Sequence, residues 1–142
     1  MKTAFFKLGL VFAALLAGTL QAGTLEGVVV IANESVPVDS LSAPALKDLY
    51  LGKTMYWEGG QAVVIVVLPA DQTDAALNEV SGMNASQFKT FWQRLVFSGH
   101  GQLPKKAGDT ASLVALVAST KGAIGLAPAD AALKGVKQIE VK

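Results

Sequence analysis

Runs of apolar, largely β-branched residues mark the chain and predict the strands of a buried sheet. Three such runs cover residues 26–32, 62–68 and 123–127, and a shorter pattern at 137–141 predicts a fourth strand. The first two runs have no polar residue in their interior. This is typical of strands that are covered on both faces.

Helix signals occupy the segments between these strands. Each predicted helix begins at a residue whose side chain can cap free N–H groups, and these residues are Ser42, Asp71 or Thr73, Asn84, and Asp109. Gln87 stands three residues after Asn84 and completes a capping-box pattern. Strands that alternate with helices predict an α/β fold, with a mostly parallel sheet flanked by helices.

The first 22 residues have the layout of a secretory signal peptide. Lys2 and Lys7 give a positive start, residues 8–20 carry no charge, and Ala22 provides a small residue at the cleavage site. The alternative is an uncut membrane anchor, but the apolar stretch is short for one. We therefore expect cleavage after Ala22 and a periplasmic location. Residues 23–142 are then one domain that does not span a membrane.

Composition excludes several classes of function. The chain has no cysteine, so thiol catalysis and cysteine metal sites are ruled out. Its formal net charge is +1 and no basic stripe is present, so nucleic acid is not an expected partner. His100, the single histidine, cannot build a metal site without other nitrogen ligands. Because no serine elbow or carboxylate pair is present, we expect a protein that is not an enzyme and needs no cofactor or metal.

Three stretches, in the same order, resemble a known family. Residues 40–53 read Ser-Leu-Ser-Ala-Pro-Ala-Leu-Lys-Asp-Leu-Tyr-Leu-Gly-Lys and are followed by Trp57; residues 91–104 read Phe-Trp-Gln-Arg-Leu-Val-Phe-Ser-Gly-His-Gly-Gln-Leu-Pro; and residues 122–125 read Gly-Ala-Ile-Gly. Together they are similar to segments of phosphate ABC-transporter substrate-binding proteins, in the type 2 periplasmic-binding-protein superfamily. Members have two lobes hinged around a cleft, so the resemblance implies a single lobe of that fold here.

The resemblance also implies where an anion would bind. In that family an Arg precedes a Ser-Gly-Thr segment at a helix start, which offers free N–H groups and a partial positive charge. This chain has Leu68 in place of the Arg, Asp71 and Gln72 in place of Ser-Gly, and Thr73 as the matching residue. A carboxylate at this position can take the N–H groups itself, as a helix cap does.

A second polar segment follows the first predicted strand. Asn33 and Ser35 stand at its carboxyl end, where open α/β sheets bind ligands. The predicted ligand-binding set is therefore Asn33, Ser35, Asp71, Gln72 and Thr73, with turn chemistry and helix capping as alternative roles.

Two functions follow from the sequence. The first is non-catalytic binding of phosphate or a related oxyanion in an ABC-transport or phosphate-response system. The alternative is a protein-interaction or sensory-accessory module that has lost its ligand. Its partner would be an envelope protein such as a transporter, a porin or a sensor.

Overall fold

The structure is a computed structural model that describes Leu25 and residues 27–142, without the side chains of residues 70–72. The predicted signal peptide, residues 1–22, lies outside the described residues. Within them the elements follow in the order β1 (Val28–Asn33), β2 (Ser40–Leu41), α1 (Ala43–Tyr50), β3 (Val64–Val67), α2 (Ala70–Ser81), α3 (Ala85–Phe97), β4 (Lys105–Lys106), α4 (Thr110–Ser119), β5 (Ala123–Pro128) and β6 (Val136–Val141).

The strands form one six-stranded sheet in the order β2-β6-β1-β5-β3-β4. The pairs β5–β3, β3–β4 and β2–β6 are parallel, whereas β1 is antiparallel to both β5 and β6. The predicted α/β class and its mostly parallel sheet are confirmed: five of the six strands run in one direction, and β1 alone runs in the opposite one. An apolar run reports burial on both faces, but it carries no information on strand direction.

Side chains of the sheet alternate between two cores, one on each face. Val30 and Ala32 of β1 belong to a core with α1, α2 and α3. Ile31, between them, belongs to a second core with α4. This two-residue alternation is the normal geometry of a strand, and it explains why residues 28–32 of β1 are all apolar.

Local capping chemistry sets the helix starts. The Ser42 hydroxyl accepts a hydrogen bond from the Ala45 amide at 3.1 Å, and the Asn84–Gln87 capping box has both of its bonds. The Asp109 carboxylate accepts a bond from the Ser112 amide at 2.8 Å, which lowers the pKa of Asp109. These three predicted caps are confirmed.

The start of α2 differs from the expected one. The helix begins at Ala70, after Pro69, which makes no side-chain capping bond. Thr73 then departs from helical geometry, with φ −130° and ψ 22°, so α2 has a kink within its first turns. Of the two predicted starts, Asp71 lies before the kink and Thr73 is the kinked residue itself, and neither is the first residue of the helix.

Candidate functional site

The carboxyl ends of β3 and β5 form the edge of the sheet that is best placed to bind a ligand. After β3 the chain enters α2, which packs on the face with α1 and α3. After β5 it enters residues 129–135, where Ala131 and Leu133 pack on the opposite face with α4. Connections that leave neighbouring parallel strands toward opposite faces open a crevice between them, and ligands of α/β proteins bind in such a crevice.

The amino end of α2 lies at this crevice. The helix has 12 residues and follows β3 directly, so its first N–H groups and its partial positive charge are at the edge of the sheet. Thr73 is buried, with 8% of its surface exposed, and lies at the kink in the helix. Of the predicted ligand set, the backbones of Asp71 and Gln72 are placed here as part of α2, but their side chains lie outside the described atoms.

A small cavity of about 20 Å³ lies behind this helix start, and Tyr50, Thr73 and Asp74 are among its lining residues. This is about the size needed for one water molecule. Such a cavity can place one oxygen atom between the end of α1 and the kink of α2.

The Tyr50 hydroxyl is the distinctive group of this cavity. It is fully buried and has no hydrogen-bond partner among the described residues. Desolvation by burial raises the pKa of Tyr50 above its ordinary value of about 10, so the hydroxyl stays protonated and remains a donor. Sequence reasoning missed this role because Tyr50 stands with Leu46 and Leu49 on the apolar face of α1. A tyrosine at such a position predicts packing.

The carboxylate of Asp74 has a capping role on the next helix. One of its oxygens, Oδ1, accepts a hydrogen bond from the Ala85 amide at 3.0 Å, at the first residue of α3. This bond satisfies one of the free N–H groups at the start of α3. The second carboxylate oxygen remains available beside the cavity that Asp74 lines.

Leu68 occupies the position of the arginine in the resemblance. Its side chain is 8% exposed and packs in the core on the α4 face. A leucine there stabilises the second core by burial and contributes no charge to the crevice. The site therefore depends on backbone N–H groups and hydroxyls and not on a guanidinium.

Asn33 lies at the other edge of the sheet. Because β1 is antiparallel to β5, the carboxyl end of β1 meets the amino end of β5. The Asn33 amide donates to the carbonyls of Val117 and Ala118, at 2.8 and 2.9 Å, near the end of α4. Its carbonyl oxygen accepts from the Ser35 amide at 2.8 Å. The polar atoms of Asn33 are thus directed into the protein.

Ser35 is hydrogen-bonded to residues that precede β3 and β5. Its hydroxyl donates to the Gln61 side chain at 3.1 Å and accepts from the Gly122 amide at 3.1 Å. The structure therefore does not bring the two predicted ligand segments together. Thr73 and the start of α2 lie at one edge of the sheet, and Asn33 and Ser35 lie at the other. No signal in the sequence of β1 could reveal this separation, since it depends on the direction of the strand.

The described residues contain neither a cluster of metal-binding side chains nor a helix that could span a membrane. No group of three or more His, Cys, Asp or Glu side chains among them is arranged to hold a metal ion. None of their helices is both long and apolar enough to cross a bilayer.

Solved structures with the same fold include those of phosphate-transport proteins. A protein from Clostridium perfringens, assigned as a phosphate ABC transporter substrate-binding protein and solved with bound phosphate, has a TM-score of 0.63 and 22% identity; the match covers 81% of this chain and 44% of that one. An ABC-type phosphate transport receptor from Vibrio cholerae has a TM-score of 0.56 and 19% identity, over 81% and 46% of the two chains. PstS from Borrelia burgdorferi has a TM-score of 0.59 and 10% identity, over 82% and 47%.

These matches confirm the predicted resemblance at the level of the fold. The chain spans less than half the length of the three proteins, so its fold is the one that these substrate-binding proteins use for part of their structure. No protein-family model matches the sequence, and no curated protein matches it.

Proposed function

We propose that this protein is a non-catalytic periplasmic substrate-binding module that binds phosphate, as part of an ABC-transport or phosphate-response system. One observation carries the proposal. In a fold shared with phosphate-transport proteins, the amino end of α2 and the buried Tyr50 donor lie at the crevice between the ends of β3 and β5. This is the edge where such a fold binds its ligands.

The chemistry of the helix start suits an oxyanion. Free N–H groups of the first turn of α2 donate to the phosphate oxygens, and the helix dipole favours their negative charge. The Thr73 hydroxyl, which makes no hydrogen bond to another described residue, supplies a further donor. Because Leu68 provides no guanidinium, we expect weaker binding than a bidentate, charge-assisted clamp gives.

Discrimination between phosphate and sulfate follows from the second Asp74 oxygen. Near neutral pH phosphate carries a proton that a carboxylate can accept in a hydrogen bond, whereas sulfate has no proton to donate. A carboxylate beside the site therefore favours phosphate and repels sulfate. We expect phosphate to bind more tightly than sulfate.

Calorimetric titration of the secreted, mature protein with phosphate and then sulfate tests the proposal. Thr73→Val removes the hydroxyl and keeps the side-chain volume. It should weaken phosphate binding by about tenfold or more, since a hydrogen bond to a charged group contributes about 1.5–3 kcal/mol. Ser35→Ala, at the opposite edge of the sheet, is the matched control and should leave the affinity unchanged.

The absence of both heat and thermal stabilisation at millimolar phosphate would contradict the proposal. The replacement of the family's arginine by the buried Leu68 would then favour the interaction-module function. Recovery of a transporter, porin or sensor as a stable partner of the mature protein would be its test.

A further inference from the structure

A second and larger concave site lies between α3 and the edge of the sheet. This groove has a volume of about 610 Å³, within the range of about 300–1,000 Å³ that is typical of small-molecule sites. One wall is α3 and the other is the end of β3 with β4 and its preceding loop. Its apolar lining includes the buried side chains of Leu77, Phe88 and Trp92 and the more exposed ones of Val67, Leu103 and Pro104.

The charge of the groove has one sign. Lys89 of α3 and Lys106 of β4 line it, and no aspartate or glutamate is among its lining residues. Neither lysine forms an ion pair with another described residue. The ion pair found among the described residues joins Lys137 to Asp39, and neither of these lines the groove. Ser86 and Gln93 add two hydrogen-bonding side chains from α3. An apolar floor with two cations and two neutral polar groups matches an apolar molecule that carries a negative headgroup.

We propose that this groove binds a small amphipathic anion, an organic carboxylate with an aliphatic or aromatic body. The body lies on Val67, Leu103 and Pro104, above the buried rings of Phe88 and Trp92, and the headgroup lies between Lys89 and Lys106. The groove adjoins the α2 crevice, since Val67, Leu68 and Leu77 line both, but Lys89 and Lys106 line the groove alone. Inorganic phosphate also lacks an apolar body to cover the floor. The inference therefore does not depend on the proposed phosphate binding.

Tryptophan fluorescence provides a direct assay. The chain has two tryptophans, and Trp57 lies near the other edge of the sheet, where its indole N–H donates to the Gly122 carbonyl at 2.9 Å. Trp57→Phe therefore leaves Trp92, which lines the groove, as the reporter. Decanoate is the probe, with decanol as the neutral analogue and decylamine as the cationic one.

We expect saturable changes in Trp92 emission with decanoate, weaker binding of decanol and the weakest binding of decylamine. Each added methylene from octanoate to decanoate should tighten binding by roughly fourfold, as expected for burial of an aliphatic chain. Lys106→Gln should weaken decanoate binding by about tenfold and leave decanol binding unchanged. Lys105→Gln is the control of equal charge, because Lys105 neighbours Lys106 on β4 but does not line the groove.

Four results would overturn the inference: no saturable response to decanoate, equal affinity for decanoate and decylamine, equal effects of the two lysine variants, or displacement of decanoate by excess phosphate. Amide NMR shifts of Ala85 and Ala107 in the unsubstituted protein provide the same test if Trp57→Phe fails to fold, since both residues line the groove. Excess phosphate should not displace decanoate. Displacement by phosphate would show one shared anion site and refute the separate groove.

Discussion

Replacement of Asn33 by alanine tests whether this side chain stabilises the fold or binds a ligand. The substitution removes three hydrogen bonds of 2.8, 2.9 and 2.8 Å. Two of them join β1 to the last turn of α4, where carbonyl groups have no partner within the helix. The loss therefore affects the packing of α4 on the sheet.

The expected cost follows from the burial of these groups. Asn33 is 7% exposed, and its bond to the Val117 carbonyl is buried. A buried acceptor left without a partner costs about 1–3 kcal/mol, and each of the other two bonds contributes about 0.5–1.5 kcal/mol. Asn33→Ala should thus lower the free energy of unfolding by about 2–6 kcal/mol.

Urea unfolding followed by circular dichroism measures this change, and the dependence of the free energy on urea should stay constant. Ser35→Ala is the comparison, because Ser35 is exposed and water can replace its lost bonds; it should cost less than about 1 kcal/mol. Phosphate affinity of the folded Asn33→Ala protein should equal that of the unsubstituted protein. A cost below about 1 kcal/mol, or a loss of phosphate binding without a loss of stability, would refute the structural role of Asn33.

Two further predictions concern stability. Above about pH 10 the Tyr50 hydroxyl ionises in the unfolded chain but not in the fold, where burial raises its pKa, so stability present below pH 10 is lost as the pH rises. At pH 11 this ionisation should cost the unsubstituted protein about 1 kcal/mol of stability that the Tyr50→Phe protein does not lose. The urea midpoints of the two proteins measure this difference, and identical dependence of the two midpoints on pH would contradict it. In thermal unfolding, Gly122→Ala should destabilise the protein by about 2 kcal/mol or more beyond the effect of Gly82→Ala. Both glycines have φ of 80°, but only at Gly122 would a Cβ atom collide with a backbone atom, the Ala62 carbonyl oxygen; equal effects would exclude that collision.

Local chemistry made a large part of the fold predictable. The caps at Ser42, Asn84 and Asp109 depend on residues three positions apart, so their sequence signal is complete. Apolar runs located β1, β3 and β5 because burial on both faces excludes polar residues. The two-residue strands β2 and β4 are too short to give any periodic signal.

The site was less predictable because it depends on contacts between distant segments. The placement of Asn33 and Thr73 at opposite edges follows from the antiparallel direction of β1, which the composition of that strand does not determine. The cavity beside Tyr50 and the groove beside Lys106 exist only after three helices have packed on one face of the sheet. Neither cavity has a counterpart in any single sequence motif.

The position of β1 in the sheet also governs the order in which the protein can fold. This strand comes first among the described elements, yet its two neighbours, β5 and β6, are the last of them in the chain. Until then its apolar residues and its backbone N–H and C=O groups have no partners, and long-range pairing of this kind slows folding. The central strand of the sheet is therefore paired only after residues 123–141 have been synthesised, and the two cores that β1 contributes to form at that late stage.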